Sequence, residues 1–257
     1  MIVIKKGYDI FGKAYGVMFR NDLHHLDSVD HKLIKERILL DEETRPFLYQ
    51  TSRYRVNEAI MQHELYEFAQ KFKGKTVLES IRNISHFTRQ MVLNFDQPFE
   101  EMMFGGTEKE IIERGTDWCT DITRVGSALL QCLGIPCRMV SLVNTKKAYH
   151  GHQVCEAIMD QSFLLCDFTY GVVGYIDKPY SVNDIINNPL LIKTIYADVS
   201  EKEDFFDYVT GLFDRAAISD YDVTEKHCYR ISHANQYYLD MMRINHQGNW
   251  CMGEMNE

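Results

Sequence analysis

The amino-acid sequence predicts an α+β fold, in which one helix leads into a set of antiparallel strands and further helices flank the whole. Two observations carry this. From Asp121 to Leu133 the apolar residues Ile122, Val125, Leu129 and Leu133 recur at three- and four-residue steps, and Gly134-Ile135-Pro136 supplies the usual stop signals. Three short apolar segments then follow, Arg138 to Val143, His152 to Ile158 and Phe163 to Phe168, joined by Asn-, Gly-, Asp- or Ser-containing connections that suit antiparallel turns. Helices and strands are thus segregated along the chain, which favours layered α+β architecture over an alternating βαβ pattern.

Taken in order, residues 1 to 75 read as a helical N-terminal extension, with helical spacing in Val29 to Leu40 and in Val56 to Phe72. Thr76 and Glu79 have the spacing of a capping box ahead of Val77, Ile81, Ile84 and Met91, an amphipathic helix of about four turns. Thr107 and Glu110 open a shorter helix that Gly115 should end. Residues 76 to 175 form the part that carries chemistry, and 176 to 257 a mainly helical C-terminal extension. In that extension Ser200 and Glu203 suggest another capping box before Phe205, Val209, Leu212 and Phe213, and a last helical stretch runs roughly from Thr224 to Ile244. No repeat, low-complexity tract or flexible linker divides the chain, so a single domain is the simplest organisation.

Composition bounds the function. At 257 residues the chain is long enough for a substantial core, and 45% hydrophobic with 25% charged residues is the make-up of an ordinary globular protein. A formal charge of −9, with scattered lysines and arginines, argues against nucleic-acid and anionic-membrane partners. The first residues, MIVIKKGYDIFGKAYG, are too poor in apolar residues for a secretory core, and no apolar run has spanning length. Seven cysteines, an odd number without a Cys-x-x-Cys pair, suggest neither a disulfide framework nor a zinc site. A cytoplasmic protein is expected.

Among those cysteines Cys119 stands apart. It falls at the predicted start of the helix, where unpaired backbone N–H groups and the positive end of the macrodipole favour thiolate over thiol. A thiolate nucleophile needs an imidazole partner and a third group to orient that imidazole. His152 and Asp167 lie on consecutive predicted strands, and a hairpin turning near Asp160 and Gln161 would bring their ends side by side.

The stretch GTDWCTDITRVGSALLQCLGIPCR, residues 115 to 138, resembles the core of the transglutaminase-like superfamily, in which a Gly-x-Cys-type turn opens a helix ending in Gly-Ile-Pro-x-Arg. His152-Gln-Val-Cys-Glu-Ala-Ile and Cys166-Asp-Phe-Thr resemble that family's His-x-x-x-Glu and Asp-x-Thr strands, and fifteen positions separate both Cys119 from Gly134 and His152 from Asp167. The resemblance covers roughly Val77 to Gly171. It implies a papain-like, transglutaminase-core fold, with the active-site helix packed on an antiparallel sheet. It further implies Cys119 as nucleophile, His152 as general base and acid, and Asp167 as the residue that fixes the imidazole tautomer. The chemistry would be acyl transfer through a thioester, without metal or organic cofactor. Where the family has an aromatic residue two places after the histidine, this chain has Val154, a change that would reshape the cleft wall.

Other residues invite weaker roles. The Cys119 N–H is one oxyanion donor and Trp118 a candidate for the second. His150 competes with His152 as a cleft-lining histidine, although only His152 has Glu156 at the family's offset; a metal site on the two histidines lacks a third ligand. Glu156 reads as a salt-bridging strand residue before a catalytic acid, and Asp117 and Asp121 as helix-start carboxylates. Tyr237, Tyr238, Met241 and Met242 fit core packing better than a ligand groove.

The function expected is hydrolysis of an amide or peptide, with a peptide, amide or thioester as acyl donor. Acyl transfer to an amine, including amide-bond formation in biosynthesis, passes through the same thioester. A non-catalytic binding protein on the same fold is the alternative from another class. Substrate, direction of transfer and oligomeric state are not encoded in any motif.

Overall fold

The computed structural model describes residues 37–97, 103, 105–146 and 151–224. Six strands form one antiparallel sheet: β1 (Ile38–Leu39), β2 (Cys137–Val143), β3 (Gly151–Met159), β4 (Ser162–Asp167), β5 (Val172–Val173) and β6 (Arg215–Ser219), in the spatial order β1-β6-β2-β3-β4-β5. The longer helices are α1 (Val77–Leu93), α2 (Glu108–Arg114), α3 (Cys119–Cys132), α4 (Val182–Asn187), α5 (Leu191–Ile195) and α6 (Glu203–Leu212). The predicted mixture of helices with an antiparallel sheet is what the chain adopts.

Strand alternation divides the core in two. On one face Cys137, Met139, Cys155, Ala157, Leu164 and Cys166 pack with Ile122, Val125 and Leu129 of α3 and with Ile81 and Ile84 of α1. On the other, Val140, Leu142, Val154, Leu165, Ala216 and Ile218 meet Val182 and Ile185 of α4, Ile192 of α5, and Val209 and Leu212 of α6. The sheet is thus covered on both sides, and every residue of β2 is buried. Its polar residues are partnered. Ser141 Oγ bonds Gln153 Oε1 at 2.7 Å, and Arg138 lies against Glu156, its directly opposed neighbour on β3, with Nη2 and Nε at 2.6 and 2.8 Å from Oε2. Arg138 also donates to the Leu48 carbonyl, and its guanidinium lies 3.8 Å from the Phe163 ring centre.

Helix α3 is held to the sheet at two points. Thr123 Oγ1 donates to the Gln153 carbonyl on β3 at 2.8 Å. One turn on, Gly126 lies under Phe168, so closely that a Cβ at position 126 would stand 2.2 Å from the ring. The hairpin between β3 and β4 turns on Asp160 and Gln161, both at positive φ (50° and 61°), between the paired Met159 and Ser162. Two consecutive left-handed residues are the mark of a type I′ turn, whose twist suits a two-residue hairpin.

Several local readings need correction. Val29 to Leu40 is not helical at its end, because Ile38 and Leu39 form β1 against Ile218 and Ala217; the rest of that stretch lies outside the described residues. Val56 to Phe72 is broken into short turns of 3₁₀ and α helix instead of one continuous helix. At α1 Thr76 Oγ1 does accept the Glu79 N–H, but the Glu79 carboxylate takes the Lys75 N–H. The Thr107–Glu110 box is complete, and Gly115 ends α2 at φ 75°. No box opens α6. Its N-cap is Lys202, Ser200 Oγ accepts only the Lys202 N–H, and Glu203 instead meets Lys193 Nζ at 2.6 Å. Strand β6 was not expected in the C-terminal part, and the stretch from Thr224 to Ile244 lies outside the described residues beyond its first position. Among the described residues no helix is long and apolar enough to cross a membrane.

Two predictions follow from this packing. Gly126→Ala should lower stability by about 1–3 kcal/mol despite alanine's better helix propensity, because the methyl overlaps Phe168; an unchanged urea midpoint would show that the helix does not sit against that ring. Arg138→Met should cost roughly 3–5 kcal/mol by leaving Glu156 buried without its cation, and adding Glu156→Gln should recover part of the loss in the same denaturation experiment.

Candidate active site

The site is assembled where the head of α3 meets the ends of β3 and β4. Cys119 is the first residue of the 14-residue helix α3, after Trp118 at the N-cap. Its thiol is half-buried, whereas the other described cysteines, 132, 137, 155 and 166, are buried. As the first helical residue it has a backbone N–H with no partner inside the helix, at the positive end of the dipole. Thr116 prepares this start by accepting the Trp118 N–H on its Oγ1 at 3.0 Å.

Asp167 ends β4 and His152 is the second residue of β3. The pairing of Cys155 with Cys166, carried one residue further, sets Asp167 opposite Val154, two residues from His152 on the same face. This diagonal relation is within reach of long side chains. The contact is made, with His152 Nε2 and Asp167 Oδ2 2.9 Å apart and both side chains buried. With Nε2 so engaged, Nδ1 is the ring nitrogen left for a further partner, and the Cys119 sulfur lies close enough to the imidazole to raise its pKa. Burial works against a charged imidazole here, but the Asp167 carboxylate and the Cys119 sulfur outweigh it and hold the His152 pKa up at about 10.

Asp167 is itself fixed from two further sides. Tyr196 Oη donates to Oδ2 at 2.9 Å, and the Tyr170 N–H donates to Oδ1 at 3.2 Å. The loop carrying Tyr170 is tied down by Arg89 of α1, whose Nη1 donates to the Thr169 carbonyl at 3.0 Å. The Tyr170 ring leans on the imidazole, centre to centre 5.5 Å, and continues edge-on to Tyr196 and Phe205 at 6.1 and 5.4 Å. Tyr208 of α6 completes this wall, its pKa pushed up to about 12 by burial and then by the nearby Cys119 and Asp167 groups. Burial and the Asp167 carboxylate likewise raise the Tyr196 phenol, which keeps its proton and stays a donor. These tyrosines escaped the sequence reading. Only Tyr170, three residues after Asp167, carried a local signal.

The other candidates fall elsewhere. Glu156 is fully buried, four residues along β3 from His152, and its oxygens are taken by Arg138, by Tyr49 Oη at 2.9 Å and by the Val182 N–H at 2.8 Å. It therefore has the salt-bridging role and does not line a cleft. Val154 is fully buried in the second core, so the missing aromatic does not open a cleft wall there. Trp118 is half-buried beside Cys119, with its backbone N–H committed to Thr116. His150, Tyr237, Tyr238, Met241 and Met242 lie outside the described residues. Asp121 sits in the first turn of α3, as a helix-start carboxylate should, but its Oδ2 is held by Arg114 at 2.7 Å and by the Gly105 N–H at 2.8 Å. Among the described residues no group of three His, Cys, Asp or Glu side chains is disposed to hold a metal ion.

No family model matches the sequence, and no curated protein does. Among solved structures the chain is similar to a candidate cysteine protease from Cytophaga hutchinsonii, at 21% identity and a TM-score of 0.34, over 51% of this chain and 43% of that one. The match spans less than half of that protein's length, and at this TM-score it carries no argument about fold or activity.

The raised histidine has a thermodynamic consequence. A group whose folded pKa exceeds its unfolded value, here about 10 against an ordinary ~6.5, contributes stability that is complete below pH ~6.5 and disappears as pH rises through about 10. Unfolding free energy measured across that window should fall with pH in the native protein and fall less steeply in His152→Gln. Equal slopes would mean that His152 is not held as a cation by Asp167.

Proposed function

We propose that this chain is a papain-like cysteine enzyme, related to the transglutaminase-like superfamily, that hydrolyses an amide or peptide bond. In this reading Cys119, as thiolate, attacks the substrate carbonyl carbon, and the resulting oxyanion is met by the free N–H at the head of α3. His152, protonated through Nδ1, gives its proton to the departing nitrogen. The carbon–nitrogen bond breaks and a thioester to Cys119 remains. Water then loses a proton to the neutral imidazole and adds to the thioester carbon, and cleavage of the carbon–sulfur bond restores the thiolate and the imidazolium. Asp167 holds the ring in place from Nε2 and compensates its charge, and Tyr196 and the Tyr170 N–H hold Asp167.

The observation that carries this reading is the His152–Asp167 contact of 2.9 Å on an imidazole that has a helix-head cysteine close enough to raise its pKa. The residue types supply nucleophile, base and orienting group without a further component. A cytoplasmic setting suits a chain whose described cysteines are all free.

The test is competitive alkylation of the native protein across pH, mapped by mass spectrometry, followed by turnover of small amide and thioester donors with and without added amines. Cys119 should react near neutrality well ahead of Cys132, whose thiol burial pushes up to about 12, and ahead of Cys228 and Cys251. Turnover should vanish in Cys119→Ala and fall by roughly 10²–10⁴-fold in His152→Gln. Alkylation of Cys119 no faster than that of Cys228 or Cys251 would sink the proposal, and an amide product formed with added amine would make the enzyme a transferase.

A further inference from the structure

One oxygen of Asp167 serves two donors. His152 Nε2 and Tyr196 Oη each lie 2.9 Å from Oδ2, while the Tyr170 N–H donates to Oδ1 at 3.2 Å. Tyr196 directly follows α5 and is buried in the second core. Its backbone is tied on both sides, the N–H donating to the Ile192 carbonyl at 2.9 Å and the carbonyl accepting the Val199 N–H at 3.0 Å. Its ring stands edge-on to Tyr170 and Phe205 at 6.1 and 6.3 Å. A phenylalanine would fill that place equally well. What the hydroxyl adds is a polar group stripped of water, which is tolerated in a core only where it finds a partner. The partner here is the carboxylate on which His152 depends.

The consequence is electrostatic. An oxygen that accepts a hydrogen bond from Tyr196 presents less negative charge to its other partner, so it stabilises the imidazolium less than an undivided carboxylate would. Burial opposes the charged ring in the same direction, and Asp167 and Cys119 support it, leaving His152 at about 10. A general acid works best when its pKa lies near the operating pH, so a donor that draws the imidazole downward serves the reaction.

The other groups facing the pair play different parts. Cys119 at the head of α3 supplies charge of the opposite sign, and Arg89 of α1 bonds the Thr169 carbonyl. Tyr170 gives its ring to the imidazole, and Tyr208 of α6 lies near Cys119 and Asp167. Burial raises the Tyr170 and Tyr208 phenols as it does that of Tyr196, so all three keep their protons. Among the described residues Tyr196 is the phenol bonded to Oδ2.

We propose that Tyr196 is a positioning residue for the proton transfer, acting on His152 through Asp167: by taking part of the Oδ2 charge, it keeps the imidazolium aligned yet ready to release its proton to the departing nitrogen. This rests on the reading of Cys119 and His152 given above. A residue of the second core thus sets the strength of the acid that serves a nucleophile on α3, which packs in the first.

The full chain, with nitrogen-labelled histidine rings, would be titrated by NMR without substrate, the His152 signal being the one lost in His152→Gln. In Tyr196→Phe, which keeps the ring, proton release from His152 should move to higher pH by about half a unit to one unit, as loss of a donor to its counter-charge requires. The sign separates this from a merely structural role. A hydroxyl that did nothing but anchor the carboxylate would, once removed, let Asp167 drift from the imidazole and move proton release to lower pH. In an Asp167→Asn background the same change should have little effect, because the charge through which Tyr196 acts is gone. An unchanged or lowered value in Tyr196→Phe, or a shift of equal size in the Asp167→Asn background, overturns the inference. The titration needs no turnover, so the expected shift in a chain that hydrolyses no amide would count against the hydrolase reading alone.

Discussion

The contact on which the rest of the site depends is the close seating of α3 on the sheet at Gly126. Phe168 can lie flat on the helix only because position 126 has no Cβ, and Phe168 directly follows Asp167. The helix that carries Cys119 is therefore registered against the strand end that carries the carboxylate. One turn earlier Thr123 fixes the same helix to the carbonyl of Gln153, the neighbour of His152. Three groups drawn from sequence positions 119, 152 and 167 thus have their backbones locked together by two contacts that involve none of them. Preorganisation of this kind keeps the sulfur beside the imidazole without a further cost of ordering.

The same economy governs the buried charges. Arg124 of α3 is fully buried, and its Nη2 reaches Glu108 Oε1 at 2.8 Å and the Gly106 carbonyl at 2.7 Å. Arg114 reaches Asp121 from the neighbouring helix. Such pairs add little net stability over apolar residues of like size, but each leaves a costly unpaired charge if α2 docks wrongly against α3. They act as specificity devices around the loop from Gly115 to Trp118 that leads into Cys119. That loop must present the helix head without a capping side chain of its own, since Trp118 makes no side-chain cap bond.

What the sequence made legible follows from where local physics dominates. The helix from Cys119 and the hairpin at Asp160 and Gln161 are set by periodicity and turn chemistry, and both could be read. Glu156 was legible as an ion-pairing strand residue because a carboxylate in an apolar strand needs a cation, although nothing in the sequence named Arg138. Strand β6 was hidden because Arg215-Ala-Ala-Ile-Ser has the alanine content of a helix, directly after one. It becomes a strand only because β2 offers an unpaired edge, a tertiary effect. Strand β1 is two residues long and depends in turn on β6. Tyr196 was invisible for a related reason. A tyrosine at helical spacing reads as core, and only the folded chain brings its hydroxyl to Asp167 from 29 positions away.

Register is the last link between these layers. Because β3 alternates strictly, His152, Val154 and Glu156 share one face, and a slip of one residue would turn all three to the other. Such a slip would withdraw Glu156 from Arg138, its directly opposed partner, and turn the carboxylate into the first core, in the place that Cys155 or Ala157 occupies in the native register. It would also break the tight turn, whose two left-handed residues sit only between Met159 and Ser162. The ion pair and the turn therefore exclude the slipped pairing by separate penalties, each larger than the slip could regain from apolar contacts that are similar in both registers. His152 thus lies diagonal to Asp167 through constraints placed four and eight residues away along its own strand. The polar residues deep in the sheet belong to the same device as the imidazole at its rim.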